Sequence, residues 1–439
     1  MALPDGYTQI QLPESRRDEL IELDHWTFPS PVDPAESKKL PLPLTWERTR
    51  GVVVETPDPD AVPIDGAVPV RQSLAAIHSS YPFSRFPVPG AEIPVAGLTW
   101  VGVHPQHRRR GILSAMIDQH FADCVERGET VSALFAAEAA IYGRFGYGLA
   151  AQDLRLTVPR GATLRPVAGS EDLTVRIETL DPAVHGELVS DLHARAGRQP
   201  TPASGINRPG WATRETDELK TVHLDDPAAF RNGREPRRIV VVESDGEPRG
   251  YTTFRRKVDW GHTGPRGTVS TGEVVGLDPA ATHRLWSTIL DLDLTHEIEP
   301  FMIPLDDPIA SLLVDPRAAA PKIADNVWVR IVDVPGALAA RTYTTDLDLV
   351  LHVTDPRLPT NEGSWRLTAT AFGPATVVRT DDAPDLSLSV TELGAAYLGG
   401  TSLAALASAG RVEEHTDGSL LRAASAFGWP VAPVCSWVF

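Results

Sequence analysis

The strongest chemical signal in the chain is the run Arg108-Arg109-Arg110-Gly111. It stands between an apolar, β-branched segment, residues 96–103, and a segment at helical spacing, residues 112–125. The start of a helix carries free N–H groups and a partial positive charge, and both hold anions. Gly111 lets the backbone come close to such a ligand, and three consecutive arginines add charge at the rim. The run reads as a phosphate-binding turn, with an exposed basic helix start as the alternative. A second group of interest is Tyr142 and Tyr147 in the glycine-punctuated stretch 139–148. A phenol can give a proton or a hydrogen bond to a leaving group, Tyr142 first and Tyr147 second, or both rings can simply pack the core. The third is the end of the chain. Val431, Val434, Trp437, Val438 and Phe439 are apolar where chain ends are usually polar and frayed, so a docked terminus is expected.

These groups require a framework. Strand 96–103, the basic turn, helix 112–125, strand 131–135 and a small helix at 139–145 make an α/β order. Upstream, Leu20, Ile21, Leu23 and Trp26 predict an amphipathic helix over 17–28, followed by a strand at 51–55. The Pro-rich stretches 57–69 and 82–94 read as loops. Residues 151–300 supply strand candidates 154–158, 238–243 and 251–256, and helix candidates 182–196 and 283–292. Ser244-Asp245-Gly246-Glu247 is a hairpin turn between two of those strands. From residue 327 onward, strands at 327–332, 347–353, 365–370 and 386–390 and helices at 392–398 and 402–409 read as a small α+β domain. Val101-Gly102-Val103-His104-Pro105 is echoed by Val275-Gly276-Leu277-Asp278-Pro279, with Ile117-Asp118 matched by Leu290-Asp291. That echo implies a duplicated core in which only the first copy kept the basic turn.

The totals narrow the class. A chain of 439 residues exceeds one ordinary core, so two or three domains are expected. With 41 Lys and Arg against 58 Asp and Glu, the net charge of −17 disfavours nucleic acid and attracts cations. The two cysteines, Cys124 and Cys435, form no metal-ligand spacing and no disulfide framework, which suits a reducing compartment. The N-terminus lacks the basic and apolar regions of a signal peptide, and no apolar run approaches the roughly 20 residues of a membrane span. A cytoplasmic protein is expected, with no metal. His104 and His107 lack companion ligands, no Gly-x-Ser-x-Gly elbow supports Ser-His-Asp catalysis, and no Lys-Ser/Thr follows the glycines at 399–400.

Arg108-x-x-Gly111-x-Leu113 resembles the Arg/Gln-x-x-Gly-x-Gly/Ala pyrophosphate loop of the GNAT acetyltransferase superfamily, with Leu113 departing at the last position. At nearly full length the chain resembles the enhanced-intracellular-survival (Eis) family of actinobacterial acetyltransferases. The residues that carry this are 98–103 leading into 107–111, the stretch Ile141-Tyr142-Gly143-Arg144-Phe145-Gly146-Tyr147-Gly148, Val327-Trp328-Val329-Arg330-Ile331-Val332-Asp333-Val334-Pro335, and the terminal Phe439. The resemblance implies tandem GNAT folds, mixed central sheets with flanking helices, plus a C-terminal sterol-carrier-protein-like α+β domain. The divisions expected are 1–150 (catalytic GNAT), 151–326 (degenerate GNAT) and 327–439 (sterol-carrier-like). It also implies acetylation of primary amines of a cationic, aminoglycoside-like small molecule, acetyl-CoA as co-substrate, and a homohexamer. Acetyl-CoA would contact Val101, Gly102, Val103, Arg109, Arg110, Gly111, Ile112, Leu113, Ser114, Ala137 and Glu138. Tyr142 would be the general acid, and the Phe439 carboxylate would anchor the amine. Asp24, Trp26 and Trp46 are the substrate-side candidates. Protein lysines, arylalkylamines, or a non-catalytic acyl-CoA or lipid-binding role are the alternatives. The family has an acidic residue before its terminal phenylalanine, and here Val438 stands there.

Overall fold

Runs of apolar and β-branched residues, such as residues 52–54 and Val131–Phe135, give the first third of the chain its strands. In the computed structural model, which describes residues 2–57, 70–199 and 206–439, these are β1 (Tyr7–Gln11), β2 (Arg50–Pro57), β3 (Val70–Val88), β4 (Ala91–Val103), β5 (Val131–Phe135) and β6 (Gly148–Leu149). Together with β7 (Val327–Ile331) they form one seven-stranded sheet in the order β1-β2-β3-β4-β5-β7-β6. Helix α1 (Arg17–Thr27) buries Leu20, Ile21 and Leu23 against Leu74 and Ile77 of β3 on one face. Helix α2 (Ile112–Arg127) sets Ile117, Phe121 and Cys124 against Ala96, Leu98 and Leu134 on the other. A left-handed Gly128 ends α2, a conformation that costs glycine little.

The feature that shapes the site is a break in the sheet. β4 and β5 run parallel and pair only at Val95↔Val131, Ala96↔Ser132 and Gly97↔Ala133. β4 nevertheless continues to Val103, bonded on its other side to β3. Trp100 lies at φ 54°, close to a register shift opposite Ile77 and Ser79, and this bulge bends β4 away from β5.

A second sheet of six strands follows, in the order Val158–Pro159, Glu297–Pro300, Thr268–Gly276, Glu247–Lys257, Arg238–Ser244, Thr174–Thr179. Its central hairpin turns through Asp245 (φ 51°) and Gly246 (φ 82°), the geometry that the Asp-Gly pair favours. Thr268–Gly276 and Glu297–Pro300 pair in parallel from Thr268 to Thr271 and then part, so this sheet repeats the break of the first. The last unit is a five-stranded sheet, Ala375–Arg379, Gly363–Ala369, Leu347–Thr354, Leu386–Ser389, Val412–Glu414, covered by helices that include Ser419–Phe427. Among the described residues no helix is long and apolar enough to cross a membrane.

Three local expectations are corrected. Residues 82–94 are not a loop: Pro82 pairs with Ala96 and Pro87 with Glu92 inside the β3–β4 ladder, with a register shift between Phe83 and Phe86. Among the described residues β3 has no partner on its β2 side beyond His78, and proline is tolerated on such an edge because no ladder needs its missing N–H there. Most of the other Pro-rich stretch, 58–69, lies outside the described residues. The strand expected to open the C-terminal domain instead pairs with β5, from Val327↔Phe135 to Ile331↔Val131. In the duplicated segment, Ile117-Asp118 lies inside α2 but Leu290-Asp291 lies at the end of helix Pro279–Leu290, because the basic turn delays the start of α2.

The units are joined by polar contacts. The β3–β4 tip is held from both sides: Asn207 accepts from Gly90 N–H (2.9 Å) and donates to Val88 C=O (2.8 Å), while Thr342 N–H donates to Pro89 C=O (2.8 Å). Arg330 on β7 is fully buried and donates to both oxygens of Asp355 at 2.8 and 2.7 Å. Removing one member of such a pair leaves a buried charge without compensation. Asp355→Ala is therefore expected to destabilise the protein by about 3–5 kcal/mol, read from urea unfolding. A loss near zero would mean that Arg330 finds another partner.

Candidate active site

After β4 the chain makes a short 3-10 turn, Pro105–His107, passes Arg109 at φ 61°, and enters α2 through Gly111 at φ 84°. No side chain caps α2 at Gly111. Its first-turn N–H groups, on Ile112, Leu113 and Ser114, therefore face outward as a concave set of donors. Arg108, Arg109 and Arg110 stand exposed around it. Donor set, charge and glycine together fit a diphosphate. The corresponding place in the second sheet is closed: Asp278 accepts from Ala281 N–H (2.8 Å) at the start of helix Pro279–Leu290 and pairs with Arg249 (2.7 Å). A fixed carboxylate stands there where the first copy offers open donors.

The gap between β4 and β5 opens into a cavity of about 480 Å³, lined by residues 98–101 of β4, Phe135, Ala136, Ala137, Tyr142, Phe28, Arg155, Phe301, Asp325, Asn326, Val438 and Phe439 among others. Tyr142 is held in the 3-10 turn Ala139–Phe145 and is mostly buried. Burial, and secondarily the nearby Glu138 carboxylate, pushes its hydroxyl up to about 12, so it is a neutral donor at ordinary pH. Tyr147 does not reach the cavity. It is fully buried, and its hydroxyl lies 2.8 Å from Ser132 Oγ, itself 2.8 Å from His120 Nε2. Its hydroxyl is spent inside the core.

Phe439 fills the cavity floor. Its ring packs edge-on to Phe83 (centroids 4.9 Å) and Phe135 (5.1 Å). Burying a phenyl ring is worth about 1.5–3 kcal/mol, and each such aromatic pair adds roughly 0.5–1.5 kcal/mol. Gly97, the last residue to pair with β5, makes the room: a Cβ there would meet the Phe83 ring at 2.5 Å and the Phe439 ring at 3.2 Å. Upstream the segment is bolted down. Asn326 donates to Cys435 C=O (3.1 Å) and accepts from Cys435 N–H (2.9 Å), and Trp437 Nε1 donates to Ala212 C=O (2.8 Å). Ser436 donates to Glu273 (2.7 Å), which also accepts from Tyr251 (2.6 Å) and pairs with Arg214. Burial alone would raise the Glu273 carboxyl, but Arg214, His193 and His223 more than reverse it and hold it well below the usual range. Glu273 sits in the break of the second sheet, so that break anchors the segment which furnishes the first.

Of the other cofactor-side candidates, Val101 and Ala137 line the cavity. Gly102 is buried beneath α1, where a Cβ would lie 2.7 Å from Thr27 Oγ1, and Val103 packs near Ile112 and Met116. Glu138 is exposed at the start of the Tyr142 turn. The substrate-side candidates do not converge on the cavity. Trp26 is 65% exposed against the edge of His104, and Trp46 packs against the α1 core. Burial pushes the Asp24 carboxyl up to about 6, but Asp24 is not among the residues lining the cavity. Phe28, just past the end of α1, is. Asn326 and Glu273 were not legible, since no spacing links them to the segment they hold. Among the described residues no cluster of three or more His, Cys, Asp or Glu has the arrangement of a metal site.

Sequence profiles of GNAT acetyltransferase domains match residues 65–150 and 210–331, and that of a sterol carrier protein domain matches 334–436. A protein described as an uncharacterized N-acetyltransferase of Streptomyces avermitilis is 43% identical over 374 residues, covering 84% of this chain and 88% of its own length. The N-acetyltransferase Eis of Mycobacterium tuberculosis is 33% identical over 377 residues, covering 82% and 86%. The crystal structure of Eis1 from Mycobacterium abscessus superposes with a TM-score of 0.75 at 30% identity, over 99% of this chain and 100% of that one. A GCN5-related N-acetyltransferase of Anabaena variabilis shares the fold, with a TM-score of 0.76 at 19% identity.

The seat of Phe439 is testable. In Gly97→Ala the added methyl forces the Phe83 or Phe439 ring to move, an overpacking cost of about 1–3 kcal/mol. Carboxypeptidase is expected to release C-terminal residues faster from the variant than from the wild type, with a lower urea midpoint. Equal release rates would show that the ring is not held there.

Proposed function

Since the chain belongs to the Eis family of GNAT acetyltransferases and is an N-acetyltransferase with two GNAT domains and a sterol carrier protein domain, we propose that it moves acetyl from acetyl-CoA directly onto a primary amine in a ternary complex. The observation that carries this reading is the joining of an uncapped, arginine-rimmed helix start to a sheet break lined by Tyr142 and Phe439. Acetyl-CoA, which GNAT domains use, supplies the activated acyl group. The uncapped N–H groups of Ile112, Leu113 and Ser114, with Arg109 and Arg110, hold its diphosphate. Along Val101, Gly102 and Val103 the edge of β4 that does not pair with β5 offers the N–H groups of alternate residues, Val101 and Val103, to the thioester carbonyl, while Gly102 pairs with β3. Tyr142 hands its proton to the departing thiolate. The Phe439 carboxyl group, fixed by its packed ring, orients the amine. An α-carboxyl ordinarily has a pKa of about 3.3–3.7, too low for an efficient base, so its part is electrostatic and the proton leaves through water.

We assign this chemistry to a catalytic GNAT domain at 1–150. The second, degenerate one at 151–326 anchors the C-terminal segment, and 327–439 is the sterol-carrier-like part, with β7 lent to the first sheet. The net charge of −17, together with Asp325 among the residues lining the cavity, supports a cationic reacting end, as in an aminoglycoside-like acceptor. Two buried free cysteines support a cytoplasmic setting. The homohexamer is carried by the family resemblance, and light scattering of the purified chain tests it.

Tyr142→Phe is expected to lower kcat on the order of 10²-fold with little change in the KM for acetyl-CoA, followed by thiol release with a panel of amines. A donor that is lost only as pH rises through about 12 cannot limit the wild type earlier. Its kcat is therefore expected to show no alkaline loss from this group below about pH 11. Extending the chain by a few residues past Phe439 is expected to cost activity as well. Wild-type rates in both variants would remove the assigned roles.

A further inference from the structure

The break in the second sheet opens into a larger cavity of about 830 Å³ that the transfer reaction described above does not use. It adjoins the first: Arg155, Phe301 and Val438 line both. In a chain of net charge −17, its wall carries five arginines, Arg155, Arg231, Arg234, Arg237 and Arg255, against two carboxylates. One of these, Glu273, is spent on Arg214 and Ser436, and the other, Glu299, is exposed. Arg155 is matched by Asp153, while Arg231 and Arg255 share the single carboxylate of Asp226. Arg237 donates to His223 C=O (2.5 Å) and Arg234 to Ser270 Oγ (3.2 Å), and neither makes an ion pair among the described residues.

Two further donors lack partners. Arg255 Nε and the Thr271 hydroxyl are buried without a hydrogen-bond partner among the described residues, and both residues line the cavity. Thr271, 3% exposed, is the last residue of its strand to pair before the break. Buried donors and unmatched guanidinium groups cost free energy unless something accepts from them, and a planar or tetrahedral oxyanion accepts from several at once. Burial, then repulsion from Arg255, pushes the Arg237 guanidinium down to about 10, although Asp226 and Glu273 pull the other way.

We propose that this cavity binds a carboxylate- or phosphate-bearing small molecule. Its anion has two possible sources: the far end of the amine acceptor, reaching past Phe301 and Val438, or a separate effector. The first source rests on the acetyl-transfer reading; the second does not.

The test uses the full chain in two arms. Calorimetry with inorganic phosphate, at about 0.15 M ionic strength, is expected to show a Kd below about 1 mM that weakens at least about ten-fold in Arg234→Gln and in Arg237→Gln. Circular dichroism reports their folding, and Arg237→Lys guards against a variant that fails to fold. Acetyl transfer is then compared for phosphoethanolamine against ethanolamine and for aminohexanoate against hexylamine. A preference for the anionic member that collapses in the arginine variants assigns the anion to the acceptor. Arginine-dependent phosphate binding without such a preference assigns it to an effector. No phosphate binding, or binding that the variants leave unchanged, together with equal use of both amines in each pair, overturns the site. If acetyl-CoA releases no thiol with any amine, the transfer reading fails while the phosphate arm still reports on the cavity.

Discussion

The structure turns on two parallel strands that stop pairing after three residues and are not allowed to close again. Backbone N–H groups demand partners, and a strand edge left open inside a protein must be reserved for something. Here the bulge at Trp100 bends β4 away from β5, and an aromatic ring from the far end of the chain occupies the space. Gly97 is the point at which both conditions meet. It is the last paired residue, and it is the only size of residue that admits both the Phe83 and Phe439 rings. Tyr142 reaches the gap from the turn that follows β5, and Arg155 and Asp325 reach it from a separate small sheet in which Lys322–Asp325 pairs with Gln152–Arg155.

The duplication of the sheet explains how the ring is held. The same break recurs between Thr268–Gly276 and Glu297–Pro300, but the helix that follows is capped by Asp278. Beside that capped helix start, the second break holds Glu273, whose bonds to Ser436, Tyr251 and Arg214 secure the segment running to Phe439. One copy keeps an uncapped helix start, and the other keeps the contacts that position a side chain in its sister.

Local chemistry was legible in the sequence where it obeyed local rules. The basic turn, Gly111 and the helix behind it follow from charge, a flexible backbone and helical spacing, and the apolar terminal residues announced a docked end. Partner choice was not legible. Val327–Ile331 reads as a strand from its alternation, but nothing in its residues says that it pairs with β5 rather than with the strands that follow it in the chain. The prolines of β3 and β4 argue for a loop because the open edge that tolerates them beyond His78 leaves no local mark. Residue type singles out Asp24, Trp26 and Trp46, whereas the path of the chain past the end of α1, which no residue type announces, brings Phe28 to this cavity.

The place of β7 has a consequence for biosynthesis. It lies between β5 and β6, strands that precede it by about two hundred positions, so a nascent chain leaving the ribosome exposes the bonding edge of β5 until residues 327–331 emerge. Such an edge invites pairing with other chains. Residues 1–150 made alone would carry that edge bare, and in the whole chain it stays bare until residues 327–331 are made.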